Sequence, residues 1–129
     1  MTTTAVTSRR APEVAARIRF SGLYAQAESF YTRQLALAES GGAAGLAATF
    51  APGTAPDGWD AGPGHRFWIG KLEIDPENEH TLRTRCSIFS RPVAPGPGGL
   101  RVTVVEDVLT RFGDDWLATD RRVLRDTAL

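Results

Sequence analysis

The chain has 129 residues, enough for one domain with its own core and no need of disulfide or metal staples. Lysine plus arginine equals aspartate plus glutamate at 15 each, so no global field draws it to nucleic acid or to an anionic membrane. The sole cysteine, Cys86, excludes an internal disulfide and a cysteine-rich zinc site, and suits a reducing compartment.

The opening "MTTTAVTSRRAPEVAAR" shows no signal-like run, and no stretch is apolar enough to span a bilayer. A soluble cytoplasmic protein is expected, with residues 1–8 as a disordered tail and residues 9–129 as one domain. Pro12 opens a helix-permissive stretch, and Gly22 is expected to separate it from the main helix. From there Leu23, Ala27, Phe30, Gln34 and Leu37 follow helical spacing, with Tyr24, Tyr31 and Leu35 on the adjoining stripe. "ESGG" ends that helix, and "AAGLAATF" reads as a short second one facing inward through Leu46 and Phe50. Residues 52–64 are too rich in proline and glycine for a regular element. This loop, carrying Trp59, is expected to fold as a lid over a pocket mouth.

The period then changes to two. Strands are expected over His65–Ile74, Thr81–Val93, Leu100–Phe112 and Trp116–Arg125. Helices followed by an antiparallel meander read as α+β, with the helices on one face of a curved sheet. In the second strand Leu82, Thr84, Cys86, Ile88 and Ser90 face the helices. Arg83, Arg85, Phe89 and Arg91 face outward, and their mix of arginine and aromatic predicts a homodimer through the sheet. Strict alternation groups Lys71 with Phe67, Ile69 and Glu73.

Asp107 interrupts the apolar run "VTVVEDVL" and is the first candidate for a catalytic base; its alternative is a structural ion pair with Arg122 on the next strand. Tyr31 is a candidate donor and His65, at a strand start, a candidate proton-transfer group near the pocket mouth. Trp59, Phe67, Trp68 and Arg122 are expected to contact substrate. No metal site is expected, because His65 and His80 are far apart and Asp75, Glu77 and Glu79 lack the glycine and closing glutamate of a calcium loop. No glycine-rich phosphate loop or nucleophile elbow is present either, so no cofactor is expected.

The order and spacing of "LYAQAESFYTRQLALAESG", "LAATFAPG", "HRFWIGKLEIDP", "LRTRCSIF", "VVEDVLTRFGDDW" and "RRVLRD" resemble the SnoaL-like branch of the NTF2-like superfamily, from Leu23 onward. They are similar also to the small subunits of ring-hydroxylating dioxygenases and to accessory proteins of aromatic polyketide clusters. The chain departs from the pattern where Phe67 stands for a frequent histidine and Lys71 for an asparagine. The resemblance implies a cone-shaped α+β fold binding an aromatic or polycyclic small molecule. It implies cofactor-independent cyclase, dehydratase or isomerase chemistry, or a stereochemical helper, with an assembly subunit of an oxygenase as the alternative.

Overall fold

The computed structural model describes residues 2–40, 43–54, 64–94, 96 and 99–129, with side chains from residue 11 onward. Helix α1 runs Thr2–Ser40 and helix α2 Ala43–Ala47; four strands follow, β1 His65–Asn78, β2 Thr81–Pro92, β3 Arg101–Phe112 and β4 Asp115–Ala128. The strands form one antiparallel sheet in sequence order. The α+β arrangement is the one expected, a helix packed on one face of a curved antiparallel sheet.

Gly22 does not divide the helix. A glycine costs only about 1 kcal/mol in a helix interior, and the packed turns after it carry the element through. Positions 2–8, expected as a tail, fall inside the bounds of α1, and their side chains lie outside the described residues. Ala27, Phe30, Tyr31, Gln34, Leu35 and Ala38 are buried, a three-and-four spacing that lays one stripe on the sheet. Val14, Ile18 and Phe20, in the turns before Leu23, are exposed.

The inner sheet face supplies Leu72, Leu82, Cys86, Ile88, Val105, Leu109, Trp116 and Ala118 to the same core. The free edge of β4 is partly covered. Ala51 donates to the carbonyl of Ala118 at 2.8 Å, and Ala118 donates to that of Thr49 at 2.9 Å, a short parallel pairing.

Bulges in β1 and β4 change what strict alternation implies. In β1 the register shifts between Gly70 and Glu73, where Lys71 takes a left-handed φ of 52°. Phe67 and Ile69 therefore share the inner face with Leu72 and Ile74, and Lys71 does not lie with Phe67 and Ile69. In β4, Val108 pairs with Asp120 but Leu109 pairs with Ala118, which leaves Thr119 as an extra residue. A further shift between Val104 and Val105 leaves Leu124 extra in the same way.

The left-handed Lys71 sets a test. A residue with a Cβ is strained there by about 1–2 kcal/mol and a glycine is not. Lys71→Gly should keep or raise the urea midpoint, whereas branched Lys71→Val should lower stability by about 1–2 kcal/mol. Equal midpoints for the two variants would count against the bulge.

Candidate functional site

The polar side chains inside the core converge from five separate segments. Helical spacing puts Tyr31 and Gln34 one turn apart on the buried stripe of α1. Thr84 on β2 pairs in register with Asp107 on β3, and Asp107 pairs in register with Arg121 on β4. Thr49 comes from the segment after α2.

The Asp107 and Arg121 side chains are both at 0% exposure. Arg121 grips Asp107 with two parallel bonds, Nε to Oδ1 at 2.8 Å and Nη2 to Oδ2 at 2.8 Å. Tyr31 donates its hydroxyl to Oδ2 at 2.5 Å. With that one proton committed, the Thr84 hydroxyl, 2.5 Å away, donates to the phenolic oxygen. Arg121 Nη2 also donates to Gln34 Oε1 at 2.7 Å, and Gln34 Nε2 donates to Thr49 Oγ1 at 2.9 Å. Thr49 in turn donates its hydroxyl to the Leu46 carbonyl at 2.6 Å. The Phe50 ring covers the guanidinium, 5.1 Å from centroid to Cζ.

Burial first, and then the charge of Asp107, hold the Tyr31 hydroxyl well above its ordinary value. The same two causes, in that order, push the neighbouring Cys86 thiol up to about 12. Burial opposes the charge on Arg121, but the hydrogen bonds and charge of Asp107 outweigh it and raise the guanidinium. The cluster thus contains one ion pair and hydroxyl and thiol groups kept neutral.

Asp107 is paired, but with Arg121 and not with Arg122. The expectation of Arg122 follows from counting two by two from Trp116 and Ala118. The extra residue at Thr119 shifts that count by one, turning Arg121 inward and Arg122 outward. Arg122 instead donates to Glu106 at 2.5 Å on the outer face.

Of the other expected site residues, Phe67 packs against the core and Trp68 stands outside it, stacked on Phe89 at 5.6 Å and 10°. His65 is exposed at the start of β1, opposite Pro92, with its ring 6.3 Å from that of Phe67. Pro92 is eight residues along β2 from Thr84, about 26 Å, so His65 and Asp107 do not meet. Trp59, and with it the expected lid, lies outside the described residues. Arg121, Gln34, Thr84 and Thr49 are members that sequence reasoning missed. Gln34 carried the available signal, a polar side chain inside an otherwise apolar stripe.

The arrangement is built to hold shape. Both carboxylate oxygens of Asp107 already accept hydrogen bonds, and no side-chain surface is left for a substrate proton. Gln26 fastens the same helix further up, accepting from Trp116 Nε1 at 2.7 Å and from Arg111 Nη2 at 2.8 Å. Among the described residues, no group of three or more His, Cys, Asp or Glu could hold a metal, and no helix is long and apolar enough to cross a membrane.

No protein-family model and no curated protein matches the chain. Solved structures do. Aln2 from a Streptomyces species superposes with a TM-score of 0.68 at 22% identity, over 81% of this chain and 90% of that one. An NTF2-like protein with a cystatin-like fold from Novosphingobium aromaticivorans gives a TM-score of 0.67 at 20% identity, over 88% of each chain. A protein from Catenulispora acidiphila, in complex with S-DNPA, gives 0.57 at 22% identity, over 80% of this chain and 92% of that one. The fold is therefore NTF2-like.

Two measurements probe the buried cluster. Asp107→Asn keeps the shape but leaves the Arg121 charge buried without its counter-charge, so stability should fall by about 3–5 kcal/mol in urea melts. A loss under about 1 kcal/mol would contradict the pairing. The second is alkaline. Tyr31 and Cys86 keep their protons in the fold to higher pH than in the unfolded chain, whose ordinary values are 10.0 and 9.0. Their contribution is therefore complete below those values and is lost as pH rises from them through the raised values of the fold. Unfolding free energy should be flat to about pH 8 and fall towards about pH 11, with a shallower fall in Tyr31→Phe.

Proposed function

We propose that this NTF2-like domain binds an aromatic or polycyclic small molecule in its cone, as a SnoaL-like protein of aromatic polyketide-type metabolism. The observation that carries the reading is the division of the inner sheet face into two halves. Towards the β1–β2 and β3–β4 turns it is closed by α1 and by the Asp107–Arg121 cluster. Towards His65 it presents Phe67, Ile69, Ser90, Thr103 and Val123, with the Arg101–Asp126 ion pair at its rim, and Val123 is 51% exposed although it sits opposite the fully buried Val105. An apolar wall with a few hydroxyls suits an aromatic ligand. The S-DNPA complex of a neighbour with the same fold supports a small-molecule occupant.

Of the roles expected for such a domain, this geometry favours one that depends on shape more than on acid–base strength: orienting a reactive polycycle while it cyclises, dehydrates or isomerises. Asp107 and Tyr31 are the rigid floor in this reading. The proton-transferring group, where turnover needs one, is His65, which shares the inner face with Phe67. Titration with an anthraquinone carboxylate, followed by fluorescence, tests it. Val123→Asp places an unpaired charge against the ring and should weaken binding about tenfold or more. Asp107→Asn should leave affinity per folded molecule unchanged. Unaltered binding by Val123→Asp would remove the ligand from this half of the cone.

A second reading, a non-catalytic assembly domain, is favoured by one feature of the outer face. Trp68, Phe89 and Val102 make a cross-strand row, with Trp68 41% exposed. Arginines flank it, as the expected homodimer requires. Light scattering should give the mass of two chains, reduced to one by Trp68→Asp. A single-chain mass for the unaltered protein at micromolar concentration would exclude the homodimer.

A further inference from the structure

We infer that the outer face of the sheet carries a second binding site, an open groove of about 410 Å³ for an organic anion, separate from the cone. Both edge strands deform towards it. The β1 bulge places Lys71, the only lysine of the chain, at the groove's side in a backbone conformation that costs a residue with a Cβ. The β4 bulge leaves Leu124 without a partner in β3, and Leu124 lines the same groove. Bulges re-aim side chains, and here two of them on opposite edges aim at one place.

The chemistry of the lining follows. Lys71, Arg85 and Arg125 converge there, and none forms an ion pair among the described residues. By contrast Arg83 and Arg122 on the same face are each matched to an acid, namely Glu77 and Glu106. Glu73 is the one carboxylate in the groove, which leaves an excess of cation charge. Val104 and Leu124 form an apolar floor, and Ser87 adds a hydroxyl. Three cations held together above apolar surface repel one another until an anion arrives. The complementary ligand has a phosphate or carboxylate head for the guanidinium forks and a ring for the floor.

This site goes beyond the cone reading and does not depend on it. It competes with a sheet-mediated dimer for neighbouring ground, because the groove begins at Lys71 and Ser87, three residues along β1 from Trp68 and two along β2 from Phe89.

The single lysine makes the test direct. The full chain is acetylated with an activated acetate ester at constant ionic strength, and modification of Lys71 is followed by peptide mass spectrometry. Phenyl phosphate or benzoate should slow acetylation of Lys71 several-fold and saturably, and the stronger of the two identifies the head group. Benzyl alcohol, with the ring but no charge, should not. Arg85→Gln and Arg125→Gln should each raise the half-protecting concentration about tenfold, since each removes a charge-assisted contact. Absence of protection by both anions, or equal protection in the arginine variants, overturns the site. A basal rate that rises on dilution would show a second copy covering Lys71 and would overturn it as well.

Discussion

The doubly bonded pair of Asp107 and Arg121 is the constraint on which the rest of this structure depends. Two full charges inside a core are costly, and the attraction between them offsets that cost only when geometry is good and the remaining lone pairs and protons are satisfied. That condition explains the surroundings: Tyr31 and Gln34 supply the missing bonds from α1, and Thr84 and Thr49 complete the chain of donors. A pair of apolar residues could fill the same space. What they could not do is fix the rotation and axial position of the helix on the sheet, because apolar contact is non-directional. The cluster is a registration device.

The registration has a consequence for the cone. With α1 held at Tyr31 and Gln34, and again through Gln26 on Trp116, the helix seals the end of the inner face near the strand turns. At the other end Glu39 accepts from the backbone of Phe67 at 2.8 Å, tying the last turns of α1 to the start of β1. Between these fastenings the inner face widens, and Val123 and Phe67 lose full cover. A ligand there would meet a wall that does not need to reorganise, which lowers the entropic cost of binding. The same rigidity is why Asp107 is a poor general base: a carboxylate that orients its neighbours is not available to receive a proton.

The outer face follows other rules. Solvent screens its ion pairs, so Arg122–Glu106 and Arg83–Glu77 contribute little to stability. They do neutralise each other, and this makes the unmatched cations Lys71, Arg85 and Arg125 stand out as a local field. The sheet thus separates two environments by its pleat. One face holds a dry core ordered by a single buried charge pair, and the other is a wet face where uncompensated charge is available to a partner.

The amino-acid sequence by itself determined the elements and the faces that pattern can encode. Three-and-four spacing from Ala27 to Ala38 placed the buried stripe of α1, alternation from Leu82 to Ile88 placed the inner face of β2, and Asp107 in an apolar run marked the buried charge. Only the tertiary structure decided its partner. Alternation is a phase, and one extra residue inverts every side chain after it. No local composition signals the extra residue at Thr119, at Lys71 or at Leu124, because a bulge exists only in relation to the strand beside it. Arg121 and Arg122 are adjacent and identical in kind, so pattern could narrow the choice to this pair but not settle it. The strand pairing settled it, putting Arg121 into the core with Asp107 and Arg122 into solvent with Glu106.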